Sequence, residues 1–300
     1  MSLRRARSTP ILNCMNPKKS APAPSTGFTV VTGSAKVQQT GRFRANRRHV
    51  VRSVAGVVAL GALYFFAYDP AYPGTLVVRA PRPLVFAHQG VSDREPHNSL
   101  QAVQRAFDLD ADGVELFGKL APSGQLVVAS DSGGEVYTLE DVVRAVGRRG
   151  TVMVELETPG LSSTGIEQRA VQVIQKYDAQ LSVVVSSFNP LVLYRVKRLD
   201  PFVRTAFIST DEARQGSFAN LQWLLRQEFI RRVVRKAVRP DLLSINEQAD
   251  DAVVNRLIAK GWPVLLWMPN DEPGLRKALL KKPYAVISDQ PVRAMQLRAQ

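Results

Sequence analysis

"VFAHQGVSDREPHNSLQAVQRAF", residues 85–107, contains one complete strand-to-helix transition of this 300-residue chain. A short apolar run ends at His88, Gln89 and Gly90, and "PHNS" then precedes a stretch with apolar residues at helical spacing. Asn and Ser are typical residues at the start of a helix. The stretch therefore predicts a β-strand followed by an α-helix.

The same alternation continues to the end of the chain. Eight runs are predicted as strands: "LVFAHQG", "GVELFGKL", "TVMVELET", "SVVVSSF", "VRTAFIST", "LLSINEQ", "PVLLWMPN" and "YAVISD". Helical patterns occur at about 98–110, 138–147, 166–179, 190–199, 218–238, 250–260, 272–282 and 291–299. The additional run "QLVVASD", 125–131, follows the turn "APSG" and is predicted to form a hairpin with the second strand.

Eight strand–helix units predict an α/β fold, a closed (β/α)₈ TIM barrel over residues 84–300. A doubly wound open sheet is the rival fold. It is disfavoured because no G-x-G-x-x-G motif follows the first strand.

The positive charge of the chain is concentrated before the barrel. The formal net charge is +14, but no Asp or Glu occurs in residues 1–68, which hold 11 of the 40 Lys and Arg residues. Residues 1–48 are predicted to be a disordered basic tail, because they lack the apolar content to form a core. The rest of the chain is nearly neutral, so no nucleic acid partner is expected. Cys14 is the single cysteine, which excludes an intrachain disulfide.

Residues 49–70 are predicted to be a transmembrane anchor, followed by a linker at 71–83. From Ser53 to Tyr68 there are sixteen uncharged, mostly apolar residues, preceded by several arginines. Since positive residues stay cytoplasmic, we predict a single-pass membrane protein with the barrel on the non-cytoplasmic side. A signal sequence or an organelle presequence is the alternative.

Polar residues at the ends of the predicted strands are the candidate functional residues, because TIM barrels carry their sites there. They are His88, Gln89, Glu115, Lys119, Ser130, Asp131, Glu155, Glu157, Ser187, Asn189, Asn246, Glu247, Trp267, Asn270 and Asp289.

Several of these segments resemble the glycerophosphodiester phosphodiesterase family over roughly residues 84–298. They are, in the family's order, "HQG", "PHNS", "GVELF", "VVASD", "VELE", "VSSFNP", "VLLWMPND" and "VISDQP". The resemblance implies a phosphoric diester hydrolase of lipid metabolism, acting on a glycerophosphodiester or phospholipid headgroup. It also implies a divalent metal, Mg²⁺ or Ca²⁺, if the site is active, and none if it is not.

The resemblance gives roles to three residues that match the family's pattern. His88 stands where the family has its first catalytic histidine, and Glu115 and Glu155 stand where it has metal-binding carboxylates. The resemblance also places Trp267 where a side chain lines the substrate pocket, whereas ordinary packing at a strand end is the alternative for this residue. Lys119 is a nearby cation.

Five positions depart from the family's pattern. They are Gln89 for a phosphate-holding arginine, Phe117 for a third carboxylate, Ser130 for the second histidine, Glu157 for a lysine and His97 for a glutamate. The two-residue period of a strand places Phe117 on the same face as Glu115, so its ring should point into the site. Losing a general acid alone costs ~10²- to 10⁴-fold in rate. The sequence therefore predicts a pseudoenzyme with lost or strongly reduced hydrolysis.

A rearranged active site is the alternative. His88 and His97 would be its catalytic residues, and Gln89, Lys119 and Trp267 would bind substrate. Glu115, Glu155 and Glu157, with His97, have the oxygen and nitrogen ligands that a divalent metal accepts. On the competing interpretation, His97 is an ordinary loop residue near a helix start, and Glu155 and Glu157 pair with neighbouring arginines.

Overall fold

The computed structural model describes residues 47–74, 76–77, 80–91, 95–128, 136–212 and 223–300, and the statements below concern these residues. Residues 1–51 and 52–300 form two separate units, the second of which contains the barrel. The predicted basic tail lies almost entirely outside the described residues, as do Cys14, Ser130 and Asp131.

Eight parallel strands form a closed barrel, as the sequence predicts. They are β1 Leu84–His88, β2 Gly113–Leu120, β5 Thr151–Leu156, β6 Val183–Ser187, β7 Arg204–Ser209, β8 Leu242–Asn246, β9 Val264–Trp267 and β10 Ala285–Ser288. β1 pairs with both β10 and β2, which closes the sheet. Two short strands, β3 Leu126–Val128 and β4 Tyr137–Thr138, extend β2 in antiparallel order, so the predicted hairpin is confirmed.

Helices connect the strands, and seven of the eight lie within about three residues of the predicted bounds. The predicted helix at 218–238 differs, because residues 218–222 lie outside the described residues and the helix that ends at Val238 begins only at Glu228. The helices are α2 Leu100–Asp108, α3 Leu139–Val146, α4 Ile166–Lys176, α5 Pro190–Leu199, α6 Glu228–Val238, α7 Asp251–Ala259, α8 Glu272–Leu280 and α9 Pro291–Arg298. The side chains of Ser99, Thr138 and Asn189 cap α2, α3 and α5 by accepting hydrogen bonds from backbone N–H groups. Such caps explain why these helices begin where the sequence predicts.

The barrel interior is filled by every second residue of the strands. Phe86, Met153, Val184, Leu265 and Ile287 form one buried cluster there, while the other strand faces pack against the helices. This alternation assigns the polar residues of the same strands to the inside or the outside of the barrel.

The helix that precedes the barrel, α1 Arg47–Ala67, covers most of the predicted anchor. Among the residues that the structure describes, no helix is long and apolar enough to cross a membrane. The fifteen helical residues after Arg52 extend for ~22 Å, against a hydrocarbon core of ~30 Å. The predicted transmembrane helix over 49–70 is therefore not confirmed.

The segment after α1 packs against the N-terminal end of the barrel. The Trp262 indole N–H donates to the Pro70 carbonyl at 3.0 Å, and the Tyr72 and Trp262 rings meet edge to face at 5.4 Å. Val77 is buried in the interior cluster. The described part of the predicted linker 71–83 thus contributes to the core.

Candidate active site

The end of β1 places His88 in a network of hydrogen bonds at the C-terminal mouth of the barrel. Its Nδ1 lies 2.7 Å from Oδ1 of Asp289, which directly follows β10. Asn270 donates to the other carboxylate oxygen at 2.6 Å and accepts from the Asp289 backbone N–H at 3.0 Å. Because an ionised carboxylate only accepts, Asp289 fixes the proton on Nδ1 and leaves Nε2 as the reactive nitrogen.

The protonation of His88 reflects opposing effects. Burial lowers the pKa of His88, but the Asp289 hydrogen bond and the charges of Glu115 and Asp289 outweigh it. The pKa is therefore raised above its ordinary value, which favours the imidazolium form.

Glu115 lies opposite His88 in the pairing of β1 with β2, and its side chain is buried. Burial raises the pKa of Glu115 to about 7; the charge of His88 opposes this rise and that of Asp289 adds to it. A carboxyl group with this pKa is partly protonated at neutral pH, so it can donate as well as accept a proton.

Phe117 occupies the same inner face two residues further along β2. Its ring meets the His88 imidazole edge to face, with centroids 5.5 Å apart. The backbone N–H of Phe117 donates to Oδ1 of Asn98 at 3.2 Å, which ties β2 to the loop of the "PHNS" segment. The predicted direction of the ring, into the site, is thereby confirmed.

Gly90 allows the loop to turn back over the site. It has a positive φ of 83°, and a Cβ at this position would lie 2.6 Å from the backbone of Ala102 in α2. The glycine of "HQG" is therefore required for the close approach of α2 to the end of β1.

The four predicted metal ligands do not form one cluster. Glu155 is buried opposite Phe117 in the pairing of β2 with β5, whereas Glu157 lies at the rim, 3.3 Å from the ammonium of Lys119. His97 is exposed in the loop before α2. Within the described ranges, no group of three or more His, Cys, Asp or Glu residues is arranged to hold a metal ion.

The donor set therefore does not fit a divalent metal of the kind that the family resemblance implies. An aromatic ring stands where the resemblance places a third carboxylate, and one of the remaining glutamates is paired with a lysine. Ser130, at the position of the second histidine, lies outside the described residues.

The predicted substrate-binding residues Gln89, Lys119 and Trp267 lie at the C-terminal ends of different strands. The Trp267 ring meets Phe188, which follows β6, edge to face at 6.0 Å. Gln89 has a positive φ of 57°, and its amide nitrogen is 3.5 Å from Nε2 of His88. Lys119 is half exposed and paired with Glu157.

The sequence did not reveal the role of Asp289. Its place at the end of the last strand was visible, but its partner His88 is 201 residues away. The available signal was the closure of the barrel, which makes the first and last strands neighbours and brings their final polar residues together.

These features define a class of protein: a TIM barrel with an oriented histidine and buried glutamates at the C-terminal ends of its strands. The model of the "Glycerophosphoryl diester phosphodiesterase family" matches residues 119–293, more than half of the chain. The chain belongs to this family. The matched range begins after His88, Glu115 and Phe117.

Two curated relatives are similar to parts of the chain. A glycerophosphodiester phosphodiesterase from Caldanaerobacter subterraneus subsp. tengcongensis is 28% identical over 160 residues, 42% of this chain and 66% of that protein. The match thus spans slightly less than two thirds of that relative. A glycerophosphodiester phosphodiesterase from Bacillus altitudinis is 23% identical over 250 residues, 71% of this chain and 97% of that protein.

Solved structures show the same fold. A putative glycerophosphodiester phosphodiesterase from Galdieria sulphuraria has a TM-score of 0.62 at 17% identity, covering 73% of this chain and 98% of its own. A phosphodiesterase from Oleispira antarctica, solved in complex with the product sn-glycerol-3-phosphate, has a TM-score of 0.60 at 20% identity, with the same coverage.

Proposed function

We propose that this chain is a glycerophosphodiester phosphodiesterase-family barrel in which hydrolysis is lost or strongly reduced. The observation that carries the proposal is the Phe117 ring packed against His88, where the resemblance implies a metal-binding carboxylate. The separation of Glu157 from the buried glutamates, and its pairing with Lys119, supports it. The alternative of a rearranged metal site finds no comparable support.

The expected loss in the rate of hydrolysis follows from the site residues that differ from the family's pattern. A missing general acid costs ~10²- to 10⁴-fold in rate. Each missing electrostatic donor to a developing oxyanion costs ~2.7–4 kcal/mol. Gln89 and Glu157 add no cation for a phosphate, and the Glu157 carboxylate repels one. We therefore expect hydrolysis by the family's route to fall below detection.

We propose that the same mouth of the barrel still binds a ligand. The Oleispira antarctica relative was solved with sn-glycerol-3-phosphate, and we propose a glycerophosphodiester or a phospholipid headgroup as the ligand class here. His88, held by Asp289, would contact such a ligand through Nε2.

A hydrolysis assay of the full chain tests the proposal. With Mg²⁺ or Ca²⁺ and glycerophosphocholine or glycerophosphoethanolamine, we expect no release of glycerol phosphate above background. The Caldanaerobacter relative serves as the positive control. Turnover that disappears in a His88→Ala variant would contradict the proposal.

Reverse substitutions sharpen the assay. A variant that combines Gln89→Arg, Phe117→Asp, Ser130→His and Glu157→Lys restores the residue types that the resemblance implies. We expect it to gain metal-dependent hydrolysis, and we expect the matched variant with Phe117→Leu in place of Phe117→Asp to gain none. Equal activity of the two would show that Phe117 is not the block.

The membrane location is a separate proposal. It is supported by the exposed apolar side chains along α1, among them Val54, Val57, Val58, Leu60 and Leu63. The side of the membrane on which the barrel lies is proposed from the arginines that precede this segment alone. Deletion of residues 1–63, which leaves Asp69 and Tyr72 in place, should release the protein from sedimented membranes. Protease protection in sealed vesicles would report the side, and continued sedimentation of the deletion variant would contradict the proposal.

A further inference from the structure

The N-terminal end of the barrel is basic where the chain enters β7, β8, β9 and β10. The helix ends and loops that precede these strands are residues 198–203, 239–241, 260–263 and 280–284. They expose the side chains of Arg198, Arg239 and Lys282. Their two acidic residues, Asp200 and Asp241, are buried. A surface that approaches this end of the barrel therefore meets positive charge.

The same segments expose large apolar side chains. Leu280 is 80% exposed and Phe202 is 66% exposed, and Leu199 is exposed next to Arg198. Leu181, in the loop before the neighbouring strand β6, is exposed as well. Single exposed apolar residues are ordinary on protein surfaces. A group of them among cations is typical of a surface that lies in the headgroup region of a bilayer.

The loops at the mouth end of these strands have the opposite charge. Residues 210–212, 247–250 and 268–271 follow β7, β8 and β9 and contain no Lys or Arg. Their acidic residues are Glu212, Glu247, Asp250, Asp271 and Asp211, the last of which is paired with Arg231. The basic residues of the mouth, His88 and Lys119, lie on β1 and β2 instead. This side of the barrel is therefore an electrostatic dipole, which an anionic surface orients with the basic end toward itself.

The segment that leaves α1 is attached to the same end of the barrel. The ammonium of Lys236, on α6, lies 4.7 Å from the ring centroid of Phe65 and 5.5 Å from that of Tyr68. Asp69 forms an ion pair with Lys260, which directly follows α7, at 3.3 Å. These contacts hold the last residues of α1 against the barrel, so they restrict rotation of the barrel about this connection.

We propose that this end of the barrel, at the start of β7–β10, lies against an anionic phospholipid bilayer, with the mouth facing away from it. The exposed cations bind the headgroups of anionic lipids, and Leu199, Phe202 and Leu280 enter the boundary between headgroups and acyl chains. The inference rests on the proposed membrane location, in which α1 holds the chain at the bilayer.

The basic end orients the attached barrel rather than attaching it. Its three exposed cations, Arg198, Arg239 and Lys282, are fewer than the about four to eight of a segment that binds anionic lipid by itself. Deletion of residues 1–63 is therefore still expected to release the protein from membranes.

Spin labels on the full chain measure this orientation. Cys14→Ser removes the native thiol, and Pro201→Cys or Gln248→Cys places a nitroxide at the basic end or at the mouth. Each labelled protein is reconstituted into phosphatidylcholine vesicles with or without phosphatidylglycerol. With phosphatidylglycerol, we expect the label at position 201 to lose accessibility to a water-soluble nickel complex and the label at position 248 to keep it. In about 1 M salt, where the Debye length is ~3 Å, accessibility at position 201 should return.

A double charge reversal tests the cations themselves. Arg198→Glu combined with Arg239→Glu should leave the label at position 201 accessible on both kinds of vesicle. The matched control, Arg144→Glu combined with Arg169→Glu, changes the net charge equally at exposed residues of α3 and α4 and should preserve the loss of accessibility. Circular dichroism verifies that each variant is folded. Equal accessibility in the two folded double variants would overturn the proposal.

The outcomes separate this inference from the proposed membrane location. Flotation with both kinds of vesicle while position 201 stays accessible would overturn the inference alone and would leave this surface to a protein partner. Equal loss of accessibility at position 201 on both kinds of vesicle, or loss at position 248, would also overturn it. Flotation with phosphatidylglycerol vesicles only, abolished by salt, would support the basic surface and refute insertion of α1. Flotation with neither would refute both.

Discussion

The two ends of the barrel differ in the charged partners that they provide for a buried carboxylate. At the N-terminal end, Asp69 lies 3.0 Å from Arg235, 3.1 Å from Arg256 and 3.3 Å from Lys260. At the mouth, Glu115 has His88 as its neighbour, and among the described residues it forms no salt bridge with a lysine or an arginine. Burial raises the pKa of both carboxyl groups, yet the pKa of Asp69 ends below its ordinary value and that of Glu115 at about 7.

This difference distinguishes a cluster of ion pairs that stabilises the fold from a buried carboxylate that is available for function. The cations around Asp69 come from α6 and from the end of α7, so the cluster fastens the segment after α1 to the barrel. The charge of Glu115 is left without such compensation, a state that proteins keep mainly where a ligand or a reaction uses it. In TIM barrels the N-terminal end serves stability and the C-terminal end serves function.

Removing the carboxylate at the N-terminal end should have the largest effect on stability. Asp69→Asn leaves the buried guanidinium of Arg235 with one carboxylate partner, Glu228, instead of two. Breaking a buried ion pair costs ~3–5 kcal/mol, and we expect the lower end of this range because Glu228 remains. Urea denaturation measures the free energy of unfolding.

The matched control for this variant is Asp108→Asn, which removes an exposed ion pair with Arg149. An exposed pair contributes ~0–1 kcal/mol, so the control should unfold close to the wild type. Equal destabilisation by the two substitutions would show that the Asp69 cluster does not fasten the segment.

Substitution of Glu115, the carboxylate without a lysine or arginine partner among the described residues, should stabilise the fold at high pH. The folded pKa of Glu115, about 7, lies above its ordinary value of 4.5, so its stabilising contribution is present below pH 4.5 and lost as pH rises through 7. Glu115→Gln removes this loss and should gain ~3 kcal/mol relative to the wild type between pH 4.5 and pH 8. Denaturation curves over this pH range measure the difference.

Glu115→Asp is the control for the pH effect, because it keeps a carboxyl group at the same place. Its stability should fall with rising pH as that of the wild type does. If the difference between Glu115→Gln and the wild type is the same at pH 5 and pH 8, Glu115 is not an uncompensated charge and the contrast between the barrel ends fails.

The fold was predictable because its signals are local. The β-branched runs and helical patterns gave the eight strands of the barrel, and the pairing of "QLVVASD" with β2 followed from the turn before it. The direction of Phe117 was also predictable, since the two-residue period of a strand fixes it once Glu115 is assigned to the inside.

The electrostatics of the two ends were not predictable, because they depend on residues far apart in the chain. His88 and Asp289 are 201 positions apart, and Asp69 and Arg235 are 166 positions apart. The pairing of Glu157 with Lys119 likewise requires the rim geometry, since the two residues lie on different strand ends. The sequence pattern assigns such groups to strands, but it does not identify the residues with which they pair.

The smallest expected effect is a change in the pKa of His88, the imidazole at the mouth of the barrel. Asp289→Asn removes the hydrogen bond and the charge that raise the pKa of His88 and leaves the burial that lowers it. The pKa of His88 should therefore fall. NMR titration of the imidazole signals measures it, with a His97→Gln variant to assign the resonances.

The same substitution has a consequence for stability with a definite sign. A histidine whose folded pKa is raised stabilises the fold fully below its ordinary pKa of 6.5, and this contribution is lost as pH rises through the raised value. Asp289→Asn should flatten that part of the stability curve, whereas Asp271→Asn, a mouth carboxylate that caps α8 instead, should leave the pKa of His88 unchanged. An unaltered His88 titration in Asp289→Asn would mean that Asp289 does not orient the ring.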